Sequence, residues 1–83
     1  MGDHGEDVTR STDPRLVAAR IFIGNLPTER TNQTELKEHF QRYGVVLGVS
    51  IFKGFGFVQF REQAEAEVAV QNEHGQVFNG NKL

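Results

Sequence analysis

The chain has 83 residues, a formal net charge of -2, 24% charged residues and no cysteine. That length holds one domain, which buries only about 60% of its unfolded surface and leaves no room for a deep catalytic cavity; the missing thiols exclude disulfides and thiolate metal sites. No apolar run approaches the ~18 residues of a spanning helix and the start lacks a signal peptide's apolar core, so the sequence reads as soluble and intracellular.

Residues 1–15 carry Asp3, Glu6, Asp7 and Asp13 against Arg10 and Arg15, so the net charge sits there and the remainder nets zero. With almost no apolar residues to offset the entropy of ordering, this stretch reads as a disordered acidic leader, and 16–83 as the domain. Leu16 to Ala19 forms a short apolar approach to a first strand expected over Arg20 to Gly24. There Ile21 and Ile23 face a core while Phe22 sits on the opposite side. Asn25-Leu26-Pro27 ends that strand. Asn32 then caps a helix, with Glu35 placed to close a capping box, and this explains the formal glycosylation sequon at Asn32-Gln33-Thr34 better than a glycan does. Leu36, Phe40 and Tyr43 fall on one apolar stripe, and Gly44 supplies a left-handed stop. His39, beside the stripe, reads as a helix-surface residue, and no second metal ligand is suitably spaced from it.

A second strand is expected over Val45 to Phe52, and only Lys53-Gly54 separates it from a third, a tight hairpin. A two-residue turn sets Phe52 opposite Phe55 and Ser50 opposite Phe57, with Val49 and Ile51 on the core side beside Val58 and Gly56. In Lys53-Gly54-Phe55-Gly56-Phe57-Val58-Gln59-Phe60, alternation places Lys53, Phe55, Phe57 and Gln59 on one face. Aromatic rings held in water forgo about 25 cal/mol per Å² of burial, which a protein tolerates where something flat binds.

This octamer and the hexamer Ile21-Phe22-Ile23-Gly24-Asn25-Leu26 resemble the paired motifs of the RNA recognition motif family, the octamer at every defined position. The resemblance implies an α+β fold of the ferredoxin-like type: a four-stranded antiparallel sheet backed by two helices in βαββαβ order. The tight hairpin looks like the subgroup of heterogeneous nuclear ribonucleoprotein C and Raly, which points to uridine-rich single strands.

The second helix is expected from Gln63 to Asn72, with Ala66, Ala69 and Val70 facing the sheet. Glu62, Glu65, Glu67 and Glu73 form a solvated acidic face or, as a rival reading, a surface for a basic protein segment. Glu73 to Gln76 turns, and Val77-Phe78 makes a short extended piece before Asn79-Gly80. The sequence stops at Leu83, where the family would begin its fourth strand, so that strand is expected to be truncated.

The expected ligand is single-stranded RNA, with single-stranded DNA also admitted because stacking ignores the sugar. The resemblance implies bases stacked on Phe22 and Phe57, Phe55 against ribose, and Lys53 at a phosphate. Phe52 is either a fourth ring of the platform or a hairpin brace. Asn25 and Gln59 have amides suited to base edges, with turn stabilisation and plain solvation as the competing readings. Arg20 and Arg61 flank the motifs as electrostatic helpers. No catalytic constellation, metal site or cofactor is indicated. Micromolar affinity and a monomeric domain are expected, in a nuclear and secondarily cytoplasmic setting that only the resemblance implies. The alternative function is a protein-interaction module that grips a peptide on its helical or sheet face.

Overall fold

The computed structural model describes residues 12–83. The expected leader lies outside the described residues up to residue 11, and its last residues depart from the expectation. Pro14–Ala18 forms a short helix, α1, whose N-cap Asp13 accepts a hydrogen bond from the Arg15 backbone N–H at 2.9 Å. Pro14 suits the first helical position, where no N–H is required.

Strand β1 covers Arg20–Gly24, helix α2 Gln33–Phe40, strand β2 Val46–Phe52, strand β3 Phe55–Phe60 and helix α3 Gln63–Glu73. The antiparallel sheet has the order β1-β3-β2, so the two motif strands are neighbours. The hairpin register is the expected one: Phe52 faces Phe55, Ile51 faces Gly56, Ser50 faces Phe57 and Val49 faces Val58. Gly54 closes the turn at φ +85°, a left-handed value that a side chain disfavours. Among the described residues no fourth strand joins this sheet. After α3 the chain makes a two-stranded ribbon, β4 Val77–Phe78 and β5 Asn81–Lys82, and among the described residues β1 forms an open edge. Asn79 and Gly80 link the ribbon with φ +51° and +95°, the paired positive values of a tight hairpin turn.

The core lies between the sheet and the two helices. Ile21, Ile23, Val49, Val58 and Phe60 meet Leu36 and Phe40 of α2 and Ala66 and Ala69 of α3. Asn32 caps α2 as expected, its Oδ1 accepting from the Glu35 backbone N–H at 2.7 Å. The Glu35 carboxylate instead accepts from Asn79 Nδ2 at 3.0 Å, tying the ribbon to the helix start.

Four expectations are corrected. Gly44 is not left-handed: a 3-10 turn over Gln41–Tyr43 ends α2, and Gly44 is extended at φ 161°. Its missing side chain makes room for Glu65, whose carboxyl carbon lies 2.3 Å from where a Cβ would stand. Val70 does not face the sheet and is 49% exposed. Glu73 takes the inward place at 8% exposure, so it does not belong to a solvated acidic face, and Glu65 is partly enclosed as well. His39 is not a surface residue, because its ring lies edge-on to Phe40 and Phe78 and its Nε2 is 3.0 Å from Glu73 Oε2.

The Tyr43 hydroxyl donates to the same Glu73 oxygen. Burial by itself raises the Glu73 carboxyl, but Tyr43 and His39 together outweigh it and hold the group below the ordinary carboxylate range. A carboxyl with a lowered folded pKa contributes stability that is complete above its unfolded value, about 4.3, and is lost as pH falls below it. Urea midpoints are therefore expected to drop between about pH 5 and pH 3, and to drop less in Glu73→Gln. Equal drops in the two proteins would remove Glu73 from the acid response.

Candidate nucleic-acid interface

The face of the sheet opposite the helices carries a cluster of phenyl rings. Phe22 of β1 lies opposite Phe57 of β3, and Phe52 of β2 lies opposite Phe55. Gly24, across from Phe55, has no side chain, and the Phe22 ring leans over it to within 3.3 Å of where a Cβ would be. That brings the Phe22 centroid to 5.7 Å from Phe55 and 5.6 Å from Phe57. Phe52 stacks on Phe55 at 5.1 Å with planes 22° apart, and stands edge-on to Phe57 at 6.2 Å. The rings touch one another and present the remainder of their surface outward. Phe22 is 62% and Phe52 38% exposed, with Phe55 and Phe57 half-buried between them. Both readings of Phe52 hold geometrically, since it braces the hairpin and extends the cluster.

The turn beside the rings is held in place. Leu26 donates its backbone N–H to the Gly54 carbonyl at 3.2 Å, and the Gly54 N–H donates to Thr28 Oγ1 at 3.0 Å. Lys53 is exposed at this turn, next to Phe52 and Phe55. Thr28 was not legible as a functional position, because nothing in Pro27-Thr28-Glu29 announces a contact with residue 54.

Gln59, Arg20 and Asn25 are committed to the fold. Gln59 is fully buried, which corrects its expected exposure on the ring face. Its Oε1 accepts from Arg20 Nε at 3.0 Å, and its Nε2 donates to the Leu16 carbonyl at 2.7 Å and the Phe60 carbonyl at 2.9 Å. Arg20 is therefore drawn to Gln59 at this end of the sheet. Asn25, in a left-handed conformation at φ 54°, donates Nδ2 to the Lys82 carbonyl at 2.6 Å, so its amide fastens the turn to β5 and the base-edge reading yields to the structural one. Arg61 is exposed and lies 3.7 Å from the Glu62 carboxylate, on the strand's far end from the rings.

The ribbon is clamped to the loop after β1. Arg30 donates from Nε and Nη2 to the Asn79 carbonyl at 3.2 and 3.1 Å, and from Nη2 to Asn81 Oδ1 at 3.2 Å. Asn79 Nδ2 returns a bond to Thr31 Oγ1 at 3.2 Å. An apolar groove of about 340 Å³, lined by Ile21, Ile23, Ala69 and Leu83 among others, follows the open edge of β1. Among the described residues no cluster of acidic, His or Cys side chains is arranged to hold a metal ion.

An exposed ring cluster across the three strands of the sheet, with a lysine at the adjoining turn, is suited to stacking flat bases and pairing with a phosphate. Similarity to known proteins agrees with that geometry. RNA-binding protein 4B of Mus musculus and of Sus scrofa are each 43% identical over 61 residues, 74% of this chain and 17% of the relative. The chain thus spans about a sixth of the length of these relatives. Among solved structures, the Caenorhabditis elegans NONO-1 homodimer matches 82% of this chain and 27% of its own with TM-score 0.74 and 35% identity. The Nab3 domain solved for recognition of non-polyadenylated RNAs matches 78% and 87% with TM-score 0.73 and 32% identity. The family model of the RNA recognition motif matches residues 21–83, from the first ring strand through the ribbon, and the chain belongs to that family.

Proposed function

We propose that this domain binds single-stranded RNA on the ring face, with bases stacked on Phe22 and Phe57, ribose against Phe55, a further base or sugar on Phe52, and a phosphate at Lys53. The observation that carries the reading is the outward-facing cluster in which Phe22 keeps 62% of its surface open. Stacking contributes about 1–3 kcal/mol per base, so two or three stacked bases give micromolar affinity once the entropy of association is charged. The two-residue hairpin, similar to that of the heterogeneous nuclear ribonucleoprotein C and Raly subgroup, favours uridine-rich targets. Single-stranded DNA is a weaker second ligand. The domain acts as a monomeric, non-enzymatic binding module within a larger RNA-processing protein, in a nuclear setting.

Titration with short uridine, cytidine, adenosine and guanosine oligomers, followed by amide chemical shifts, tests the reading. Shifts are expected in 20–24 and 52–58, largest for uridine. Shifts confined to α2 and α3 would instead favour a peptide-binding module on the helical face. One exposed lysine at the platform also sets the ionic response. Lys53→Ala is expected to lower the slope of log K against log salt by about 0.7, the value for one phosphate on a single strand. An unchanged slope would place the phosphate elsewhere.

A further inference from the structure

We infer that Asn79-Gly80, at the tip of the ribbon, is a site of spontaneous covalent modification, and that conversion of the Asn79 amide to a carboxylate unfastens the ribbon from α2 and keeps it unfastened. An asparagine followed by glycine is especially prone to this change, because no Cβ hinders the glycine nitrogen as it approaches the carboxamide carbon. The Gly80 nitrogen bonds to Asn79 Cγ and gives up its proton, Nδ2 leaves as ammonia, and the five-membered imide that results takes up one water. Opening at one carbonyl gives aspartate at position 79, and at the other isoaspartate. Nothing is oxidised or reduced, and water is the only other reactant. Asn79 and Gly80 are both exposed, so water reaches them. Asn25, Asn32, Asn72 and Asn81 precede Leu26, Gln33, Glu73 and Lys82, whose side chains obstruct the same approach.

The surroundings of Nδ2 make the change consequential. It donates toward the Glu35 carboxylate at 3.0 Å, Thr31 Oγ1 at 3.2 Å and the Arg30 carbonyl at 3.3 Å. None of the three can donate in return. The Thr31 hydroxyl commits its own hydrogen to the Pro27 carbonyl at 2.9 Å, and the carboxylate and the carbonyl have none. A carboxylate oxygen in place of Nδ2, nearly the same in size, therefore meets three acceptors, one of them another carboxylate. Isoaspartate adds a methylene to the backbone as well, inside a turn set by φ values of +51° and +95°. The same contacts restrain the reaction, since they hold the amide in place while the ribbon is closed. The imide forms when the ribbon opens locally, and its product cannot rebuild the bonds that closed it. The tip thus acts as a latch that releases once.

Ageing the full chain in mildly alkaline buffer, followed by peptide mass analysis, is the first test. Position 79 is expected to show the amide-to-acid mass change before Asn25, Asn32, Asn72 or Asn81 does, and sooner in Arg30→Ala, which lacks the bonds to the Asn79 carbonyl. Asn79→Asp supplies the product directly. Ribbon closure is read at the Leu83 amide, bonded to the Gln76 carbonyl at 2.8 Å, and at the Gly75 amide, bonded to the Leu83 carbonyl at 3.0 Å. Hydrogen exchange at both is expected to be about five-fold faster or more in Asn79→Asp, with the amides of β1 and β3 unchanged. The double variant Asn79→Asp/Glu35→Gln returns a donor to face the new carboxylate and is expected to slow that exchange again. An Asn79 that persists on ageing, or that converts no sooner in Arg30→Ala, overturns the inference. So does ribbon exchange in Asn79→Asp that matches the wild type, that quickens equally across the whole sheet, or that Glu35→Gln fails to slow.

Discussion

Phe57→Ala is expected to weaken RNA binding by roughly five- to 150-fold, the effect of about 1–3 kcal/mol for one stacked base. Phe57 occupies the central strand and its ring touches those of Phe22, Phe52 and Phe55, so its removal takes away one stacking surface and the lateral support of three others. Phe22→Ala should fall in the same range with less disturbance of the fold, because Phe22 lies on the edge strand and most of its ring faces outward. Fluorescence anisotropy with labelled hexauridine measures both losses, and amide shift dispersion shows that each variant is folded. Phe57→Tyr, which keeps a flat ring, should restore most of the affinity. A folded Phe57→Ala that binds as the wild type does would remove the ring cluster from the interface.

Phe40→Ala is expected to cost about 3–5 kcal/mol of stability, the range for deleting a fully buried phenyl group. Phe40 has no exposed surface, and its ring meets those of His39, Tyr43 and Phe60, so one residue joins α2, the following turn and the sheet. Small domains hold only about 5–15 kcal/mol in total, so the loss takes a large share. With m near 1–3 kcal/mol per molar urea, the midpoint should fall by about 1 M or more. Affinity per folded molecule should be unchanged, because the ring lies on the side of the sheet away from the bound strand. A midpoint shift below about 0.5 M would mean that the core collapses around the gap.

The parts of this structure that follow strict periodicity were legible in the sequence. Alternation over Ile21 to Gly24 and over Phe55 to Phe60, joined to a two-residue turn, leaves one register that buries the aliphatic side chains, and the sheet adopts it. The ring cluster follows from that register. What was not legible depended on partners distant in sequence. Val70 and Glu73 are both reasonable on either side of α3. The choice of Glu73 for the inside depends on Tyr43 and His39, about thirty residues earlier, which satisfy a carboxylate that burial would otherwise penalise. Gly44 looked like a helix stop because glycine often is one, yet here it leaves space for the Glu65 side chain. Gln59 was placed on the correct face, but the helix whose Leu16 carbonyl it binds begins in the stretch read as a disordered leader and runs into the apolar approach to β1. Asn79-Gly80 carried a hairpin signal that the short flanking runs obscured.

The attachment of Gly54 at both its backbone groups has a consequence for how an oligonucleotide is captured. Because Leu26 and Thr28 hold that peptide, the rings on either side of the turn are already arranged before any ligand arrives. Ordering on association then falls mainly on the flexible strand, whose sugars and torsions must stop rotating. Stiffening the nucleic acid, for instance with a locked ribose, should therefore raise affinity more than any stiffening of this hairpin would.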